Sequence, residues 1–316
     1  MAMLRAMDSA VAGLRAHQSK LDVIGHNIAN VNTFGYKSQN YSFQEAMYQT
    51  SSSSTAGTAT AGGTNAAQYG YGSLTGSITM DMTASTPSYI GGFNATIRGQ
   101  GFFITSATKD SVANAAALKK NGNIQYSRVG QFLIDSKGNM VDSGGNFVYG
   151  FRCNAQATAT ATAQFDAATT PLCVPVGVLL EDIKINSLGE VTGKIKSLGN
   201  ADVGDAQYGA ERSGAKEGDI ISLGKVAIAT FQNPEGLTKQ GGYYYGADPS
   251  DNTGAVAMSQ PGDNAASLMA GYLEASNVDL AKEFSEMITA QRGFQANTKM
   301  ITVSDEVLNE LVNMKR

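Results

Sequence analysis

The sequence predicts an α+β protein in which a long helix at each end of the chain flanks a β-rich middle. Both ends carry apolar residues at heptad spacing, which is typical of helices that pack along one seam. The residues between them alternate apolar and polar side chains, and glycine, with 36 of the 316 residues, supplies turns. Because the chain leaves the helical region and must return to it, we expect the terminal helices to form an antiparallel, coiled-coil-like pair. The middle is expected to be a mainly antiparallel β body with a small inserted β/loop segment.

The first helix is expected over about residues 2–31, where apolar positions alternate three and four apart. Gly25 falls inside this helix, although a glycine there costs about 1 kcal/mol relative to alanine. Such a cost favours a position that another backbone approaches closely, and we expect that approach at Gly25. The asparagines between Asn27 and Asn32, followed by Gly35, indicate the end of the helix.

The middle of the chain divides by composition. Residues 37–90 are expected to be a linker or extended stretch, because residues 50–67 are almost wholly Ser, Thr, Ala and Gly. Such residues are too polar to pack alone, so they form either a linker or a strand that becomes ordered only against neighbours. The β domain is expected over residues 91–150 plus 183–274, and residues 151–182 are expected to be a short outer insertion.

The second helix is expected from about Val278 to the end of the chain. Its apolar residues repeat every seven positions without a break from Leu280 to Leu308. Asn277 precedes it and is of a residue type preferred at the N-cap. The two helices together make up a terminal helical domain, residues 1–36 plus 275–316.

The apolar stripes on the two helices are longer than one helix pair can bury. Two paired helices cover one seam each, so the flanking apolar residues need a further partner, and other copies of the chain are the expected cover. The alternative is a helix pair that folds back on its own β domain. The residues predicted to lie in the subunit interface are Leu4, Met7, Val11, Leu14, Leu21, Ile28, Leu280, Phe284, Met287, Phe294, Ile301, Leu308 and Val312.

The two cysteines, Cys153 and Cys173, lie 20 residues apart in one Ala/Thr-rich stretch. One interpretation is a disulfide that closes a small loop, worth roughly 3 kcal/mol in the chain-entropy model. The other is a pair of unpaired, partly buried thiols. A metal site is not expected here, because neither histidine is near and no CxxC spacing is present.

The sequence carries no constellation that predicts an enzyme, so we expect no catalytic residues, no metal and no cofactor. The two histidines, His17 and His26, are nine residues apart and face opposite sides of a helix. A net charge of −4 gives no basic footprint for nucleic acid. No run of 18 apolar residues predicts membrane insertion, and the N-terminus shows no cleavable export signal.

Six segments at both ends of the chain and in much of its middle carry motifs that are specific in combination. The segments are LDVIGHNIANVNT (21–33), FGYK (34–37), RGQGFF (98–103), YSRVGQF (126–132), EASNVDL (274–280) and AQRGFQAN (290–297). They resemble the motifs of bacterial flagellar rod and hook proteins.

The resemblance implies a structural protein of the flagellum, in which paired terminal helices form an inner tube and the β domain packs outside it. It implies export, unfolded, through the flagellar type III export apparatus, and assembly beneath a hook cap into an extracellular polymer. The implied partners are further copies of the chain, rod proteins, hook–filament junction proteins, the hook cap and the export apparatus.

Within that family, the motif at 290–297 and the segment ATFQNPEGL (229–237) favour a hook subunit, which couples motor torque to the filament as a flexible joint. The short insertion at 151–182 and the Ser/Thr/Ala-rich stretch after Tyr48 instead favour a distal rod subunit, which is part of a rigid drive shaft. A secreted β-rich adhesin that is stable as a monomer is the third hypothesis.

Overall fold

The computed structural model describes residues 2–58, 62–109, 123–155, 164–174, 179–197, 216–262 and 266–314. The chain forms two compact units. The helical unit comprises Met1–Val31, Lys37–Asp81 and Val278–Arg316, and the β unit comprises Asn32–Tyr36 and Met82–Asn277.

The helices are α1 (Ala2–Ala29) and α2 (Leu280–Met314). The strands of the helical unit are β1 (Gln39–Glu45), β2 (Tyr48–Ser52), β3 (Ala67–Gly70) and β4 (Ser73–Met80). The strands of the β unit are β5 (Pro87–Tyr89), β6 (Ala95–Arg98), β7 (Phe102–Ser106), β8 (Ile124–Ser127), β9 (Phe132–Ile134), β10 (Met140–Asp142), β11 (Phe147–Ala155), β12 (Gln164–Pro171), β13 (Leu179–Ile185), β14 (Glu190–Ser197), β15 (Ile220–Val226), β16 (Ile228–Phe231), β17 (Thr238–Gly241), β18 (Tyr244–Gly246), β19 (Val256–Ser259), β20 (Ser267–Ala270) and β21 (Tyr272–Glu274).

The predicted α+β class is confirmed, because the two helices bracket a body of antiparallel strands. Neither helix, within the residues that the structure describes, is long and apolar enough to cross a membrane.

The residue that caps the N-terminus of α2 is not the one that the sequence predicted. The helix begins at Leu280, and the Asp279 carboxylate accepts hydrogen bonds from the backbone N–H of Ala281 at 2.9 Å and of Lys282 at 3.4 Å. The prediction of Asn277 as N-cap is therefore wrong. A carboxylate has the further advantage of a negative charge at the positive end of the helix dipole.

The stretch from residue 39 to residue 80 folds as a two-stranded ribbon. β1 pairs with β4 and β2 pairs with β3, all antiparallel, and most of their side chains are exposed. The Ser/Thr/Ala-rich stretch therefore finds hydrogen-bond partners in its own return strand. Residues 59–61 lie outside the described residues.

The β unit is built around a thirteen-stranded antiparallel sheet with the order β13-β14-β15-β11-β7-β8-β18-β17 along its main path. The short outer insertion expected at residues 151–182 contributes β12 and most of β11 and β13 to this same sheet. Its residues 156–163 and 175–178 lie outside the described part of the chain. The core is apolar, and its most buried members include Ala95, Phe103, Val148, Val226 and Ile228.

Within the part of the chain that the structure describes, Cys153 and Cys173 are not joined to each other by a disulfide. Cys153 is buried in β11, whereas Cys173 is half-buried and forms an isolated β-bridge with Asn139.

Candidate assembly surface

The two helices pack antiparallel through a seam of small and polar residues. A Cβ placed on Gly13 would lie 2.9 Å from Asn297 Nδ2, and one placed on Gly293 would lie 2.5 Å from His17 Cε1. Close approach within the helix pair therefore occurs at Gly13 and Gly293. The expectation for Gly25 is not met in the single chain, because Gly25 is exposed and a Cβ there would meet nothing within 4 Å.

A buried polar contact fixes one end of this seam. Asn27 Nδ2 donates a hydrogen bond to Glu283 Oε1 at 3.1 Å and another to the Gln39 carbonyl at 2.9 Å, and Asn27 Oδ1 accepts from the Gln39 N–H. Burial raises the pKa of Glu283. Next along the seam, Lys20 Nζ lies 3.1 Å from Glu286 Oε2. These contacts specify the register of the two helices, because a shift would leave buried polar groups without partners.

The side chains that one copy buries on its helices are mostly small or polar. On α2 they lie seven and fourteen residues apart, so the seam follows a heptad whose members carry little hydrophobic signal. The helix residues that are buried are Ala10, Gly13, Ala16, Val23, Ile24, Asn27, Glu283, Ala290 and Ser304.

The predicted interface residues form an apolar ridge on each helix, and these ridges lie beside the seam and not in it. Met287 and Phe294 directly follow Glu286 and Gly293, so at about 100° per residue they occupy the flank of the helix pair. The half-buried members of the prediction are Met7, Leu14, Leu21, Ile28, Met287, Phe294, Ile301 and Leu308. The exposed members are Val11, Leu280, Phe284 and Val312, at 38%, 39%, 50% and 65% exposure. The side chain of Leu4 lies outside the described residues.

A second apolar face on α2 is formed by residues that were not among the predicted interface residues. We call it the C-terminal stripe, and its members are Met300, Val303, Val307, Leu311 and Met314. All five are exposed, from 37% for Val307 to 83% for Met314. Their spacing of three, four, four and three was available in the sequence, but it was hidden beside the longer repeat from Leu280 to Leu308.

The stripe and the predicted ridge lie on opposite flanks of the seam. On a helical projection around the buried Ser304, Ile301 and Leu308 fall to one side, and Met300 and Val307 fall to the other. The helix pair therefore presents apolar surface in two directions.

A groove beside α1 extends the apolar surface within the helical unit. Val11 and Ala16 of α1 and Leu74 of β4 line it, with Asp8 and Arg15 also contributing. Leu74 is 54% exposed, and its sequence neighbours on β4, Ser73 and Thr75, are polar.

The two histidines lie in different surroundings on α1. His17 contacts Gly293 and lies 5.2 Å from the Phe43 ring, between ring centroids. Burial, with a smaller contribution from Lys20, lowers the pKa of His17. His26 is exposed on the next turns of α1, and its Nδ1 lies 3.4 Å from Asn30 Nδ2. Among the residues that the structure describes, no group of three or more His, Cys, Asp or Glu could hold a metal ion.

Comparison with known proteins places these features in a family. Residues 7–37 match the description "Flagella basal body rod protein", residues 96–193 match "Flagellar hook protein FlgE/F/G D1 domain", and residues 269–314 match "Flagellar basal body rod FlgEFG protein C-terminal". The chain is 37% identical over 316 residues to the flagellar basal-body rod protein FlgG of Bacillus subtilis, covering 99% of this chain and 100% of the relative. The chain belongs to the flagellar rod and hook protein family.

Both branches of the flagellar family are represented among the relatives. The rod protein FlgG of Agrobacterium fabrum is 30% identical, with 96% of this chain and 97% of the relative covered. The hook protein FlgE of Escherichia coli is 26% identical, with 98% of this chain and 100% of the relative covered, over an alignment of 433 positions. The protein is thus a structural subunit of the flagellar axial structure and a component of the bacterial flagellum.

Proposed function

We propose that this flagellar subunit is a hook protein that polymerises through the apolar flanks of its helix pair. The observation that carries the proposal is the exposure of those flanks: of the predicted interface residues whose side chains are described, none is fully buried in one copy. Removing apolar surface from water yields roughly 25 cal/mol per Å². Contact between copies is the simplest way for a family of assembling proteins to gain that stabilisation.

The two directions of the apolar surface favour an open polymer over a closed dimer. A twofold dimer uses one self-complementary patch on each copy, whereas a growing helical assembly uses two different patches that meet head to tail. The predicted ridge, with Phe294, and the C-terminal stripe, with Val307, are two such patches on one helix.

Specific support for a hook comes from the segments 229–237 and 290–297, which resemble hook proteins. The second candidate is a distal rod subunit. It is favoured by the 37% identity to a rod protein whose alignment spans 316 positions, while the alignment to the Escherichia coli hook protein needs 433. Both candidates share the fold and the assembly surface.

The remaining parts of the proposal concern partners and chemistry. The partners are other copies of the chain, rod and hook–filament junction proteins, the hook cap and the flagellar export apparatus. Export occurs unfolded, and the helix pair forms its final contacts outside the cytoplasmic membrane. The protein performs no catalysis and uses no cofactor.

Electron microscopy of the polymer formed by the purified full chain tests both candidates. Curved, supercoiled tubes support the hook, and short straight rods support the rod. A protein that stays monomeric under all conditions that polymerise a related hook protein contradicts the proposal and favours the adhesin hypothesis.

A charge placed in the ridge tests the surface itself. Phe294→Asp is expected to abolish polymerisation, because a carboxylate would have to be buried between copies without a partner. Gln295→Asp adds the same charge at the neighbouring exposed position and is the matched control. Circular dichroism checks that the β unit of both variants stays folded.

A further inference from the structure

A buried ion pair in the β unit takes no part in the assembly surface proposed above. Arg128 Nε donates to Glu274 Oε2 at 2.6 Å, and the two side chains are only 3% and 2% exposed. The guanidinium carbon of Arg128 also lies 5.9 Å from the centroid of the Phe102 ring. An ion pair withdrawn this far from water must compensate the desolvation of both charges.

The remaining nitrogens of Arg128 are directed at one glycine-rich turn. Nη1 donates to the Gly101 carbonyl and Nη2 to the Gly99 carbonyl, each at 2.5 Å. Gly99 and Gly101 have φ values of 121° and 139°, a region that favours glycine. This backbone conformation lets two carbonyls of one turn meet the same guanidinium, which is thereby fixed to the start of β7.

Glu274 holds two other parts of the chain. Its Oε1 accepts a hydrogen bond from the Ser85 N–H at 3.0 Å, and its backbone carbonyl accepts one from the Gly35 N–H at 2.8 Å. Neighbouring bonds support the arrangement: the Ala275 N–H donates to the Thr86 carbonyl at 3.2 Å, and Ser85 Oγ donates to the Ser276 carbonyl at 2.9 Å.

Several segments joined by this hydrogen-bond network lie next to the points where the chain continues into the helical unit. The chain passes from one unit to the other four times, after Val31, Tyr36, Asp81 and Asn277. Gly35, Ser85 and Glu274 each lie within four residues of one of these borders. Four of the segments that carry the family resemblance thus each contribute at least one residue to this network. They are 34–37, 98–103, 126–132 and 274–280.

Stability alone does not account for such a pair. Replacing a buried ion pair with well-packed apolar side chains is often neutral or stabilising, so a retained pair is weak support for a stabilising role. Apolar side chains would not reproduce the directional hydrogen bonds that attach both Ser85 and the glycine-rich turn to this ion pair.

We propose that the Arg128–Glu274 pair is a mechanical anchor, which fastens the three connecting segments to the sheet so that strain carried by the helical unit is delivered to the core of the β unit. This inference rests on the proposed function, because only a subunit of an assembled, rotating structure experiences such strain. Without the anchor, strain peels the connecting segments from the β unit one at a time.

The test uses the full chain with Arg128→Met and Glu274→Leu combined, which removes both charges and keeps apolar bulk. The control is Glu181→Gln with Lys196→Gln, which removes an exposed ion pair of the same unit whose charged atoms are 3.5 Å apart. We expect the Arg128/Glu274 double variant to keep its melting temperature within a few degrees. Its Ser85 amide should exchange with solvent roughly tenfold faster or more, because a hydrogen bond to a charged acceptor is lost.

The functional readout is swimming speed against medium viscosity, with each variant replacing the wild-type gene in the source bacterium. We expect the double variant to assemble and to swim normally at low viscosity, but to lose motility at high viscosity, where the control still swims. Ser85→Ala, which removes only the bond to the Ser276 carbonyl, should show a smaller loss and remains informative if the double variant does not fold.

Unchanged Ser85 exchange, or a load dependence equal to that of the wild type, overturns the anchor. A wild-type chain that forms no polymer instead overturns the proposed function. The two failures are therefore distinguishable by electron microscopy of the polymers made by the same strains.

Discussion

Two glycines determine how closely the helices approach. Gly13 and Gly293 lie where the opposite helix leaves no room for a Cβ, whereas Gly25 faces open space in the single chain. Both Gly25 and Gly293 are interior helix positions, so alanine brings the same gain in helix propensity, about 1 kcal/mol, at either one. Any difference between the two substitutions therefore reports packing.

We expect Gly293→Ala to be less stable than Gly25→Ala by roughly 1–3 kcal/mol, which is the usual cost of overpacking. The new methyl group would meet the His17 ring and force the ring or the helix to move. Thermal melting followed at 222 nm on the two variants, each as a monomer, measures the difference. Equal melting temperatures would show that the seam accommodates a methyl group at position 293 without loss of stability.

Glu283 should make the helix pair dependent on pH. Burial raises its pKa, so the folded form binds the proton more tightly than the unfolded form does. The stability gained from this tighter proton binding is fully present at pH values below the ordinary glutamate pKa of about 4.3. It is lost as the pH rises through the raised pKa of Glu283.

Glu283→Gln should remove this dependence, because the amide still offers Asn27 an acceptor but does not ionise. Melting temperatures of both proteins measured across the acidic range provide the check. A wild-type curve parallel to that of Glu283→Gln would mean that Glu283 does not titrate differently in the folded state. The charged neighbours Glu286, Lys282 and Lys20 are common to both proteins and cancel in the comparison.

At the scale of elements, the sequence predicted where the helices are but not which face they share. The ranges expected, residues 2–31 and 278 to the end, are close to those of α1 and α2. The contact face escaped prediction because Ala290, Gly293 and Ser304 have no hydrophobic period, although small side chains permit the closest packing. The ribbon was predicted only in part: residues 50–67 were expected to form either a linker or a strand, because β2, with its exposed Ser and Thr, shows little alternation.

The C-terminal stripe of α2 should matter as much to assembly as the ridge does. Val307→Asp is expected to lower polymer yield at least tenfold, because a buried, unpaired carboxylate costs well over the roughly 1.4 kcal/mol that corresponds to a factor of ten. Thr302→Asp adds the same charge on another exposed face of α2 and should assemble normally. Sedimentation of the polymer measures both. Normal assembly of Val307→Asp would restrict the interface to the ridge.

At the scale of the whole molecule, the two units should differ in how far they depend on assembly. The β unit encloses a core of buried apolar residues, whereas much of the apolar surface of the helical unit is exposed in one copy. Regions with few buried apolar contacts open locally at low free-energy cost. We therefore expect the helices to open in the monomer and to become protected in the polymer.

Trypsin distinguishes these states, because Lys282, Arg292 and Lys299 are exposed along α2. We expect the monomer to be cleaved at these sites while most of the β unit survives, and the polymer to be cleaved there at least tenfold more slowly. The free-energy cost of opening α2 then includes the contacts with neighbouring copies, and cleavage of an opened segment follows its equilibrium population. A monomer whose α2 resists trypsin as well as the polymer does would mean that the apolar flanks need no second copy, and polymerisation through them would have to be abandoned.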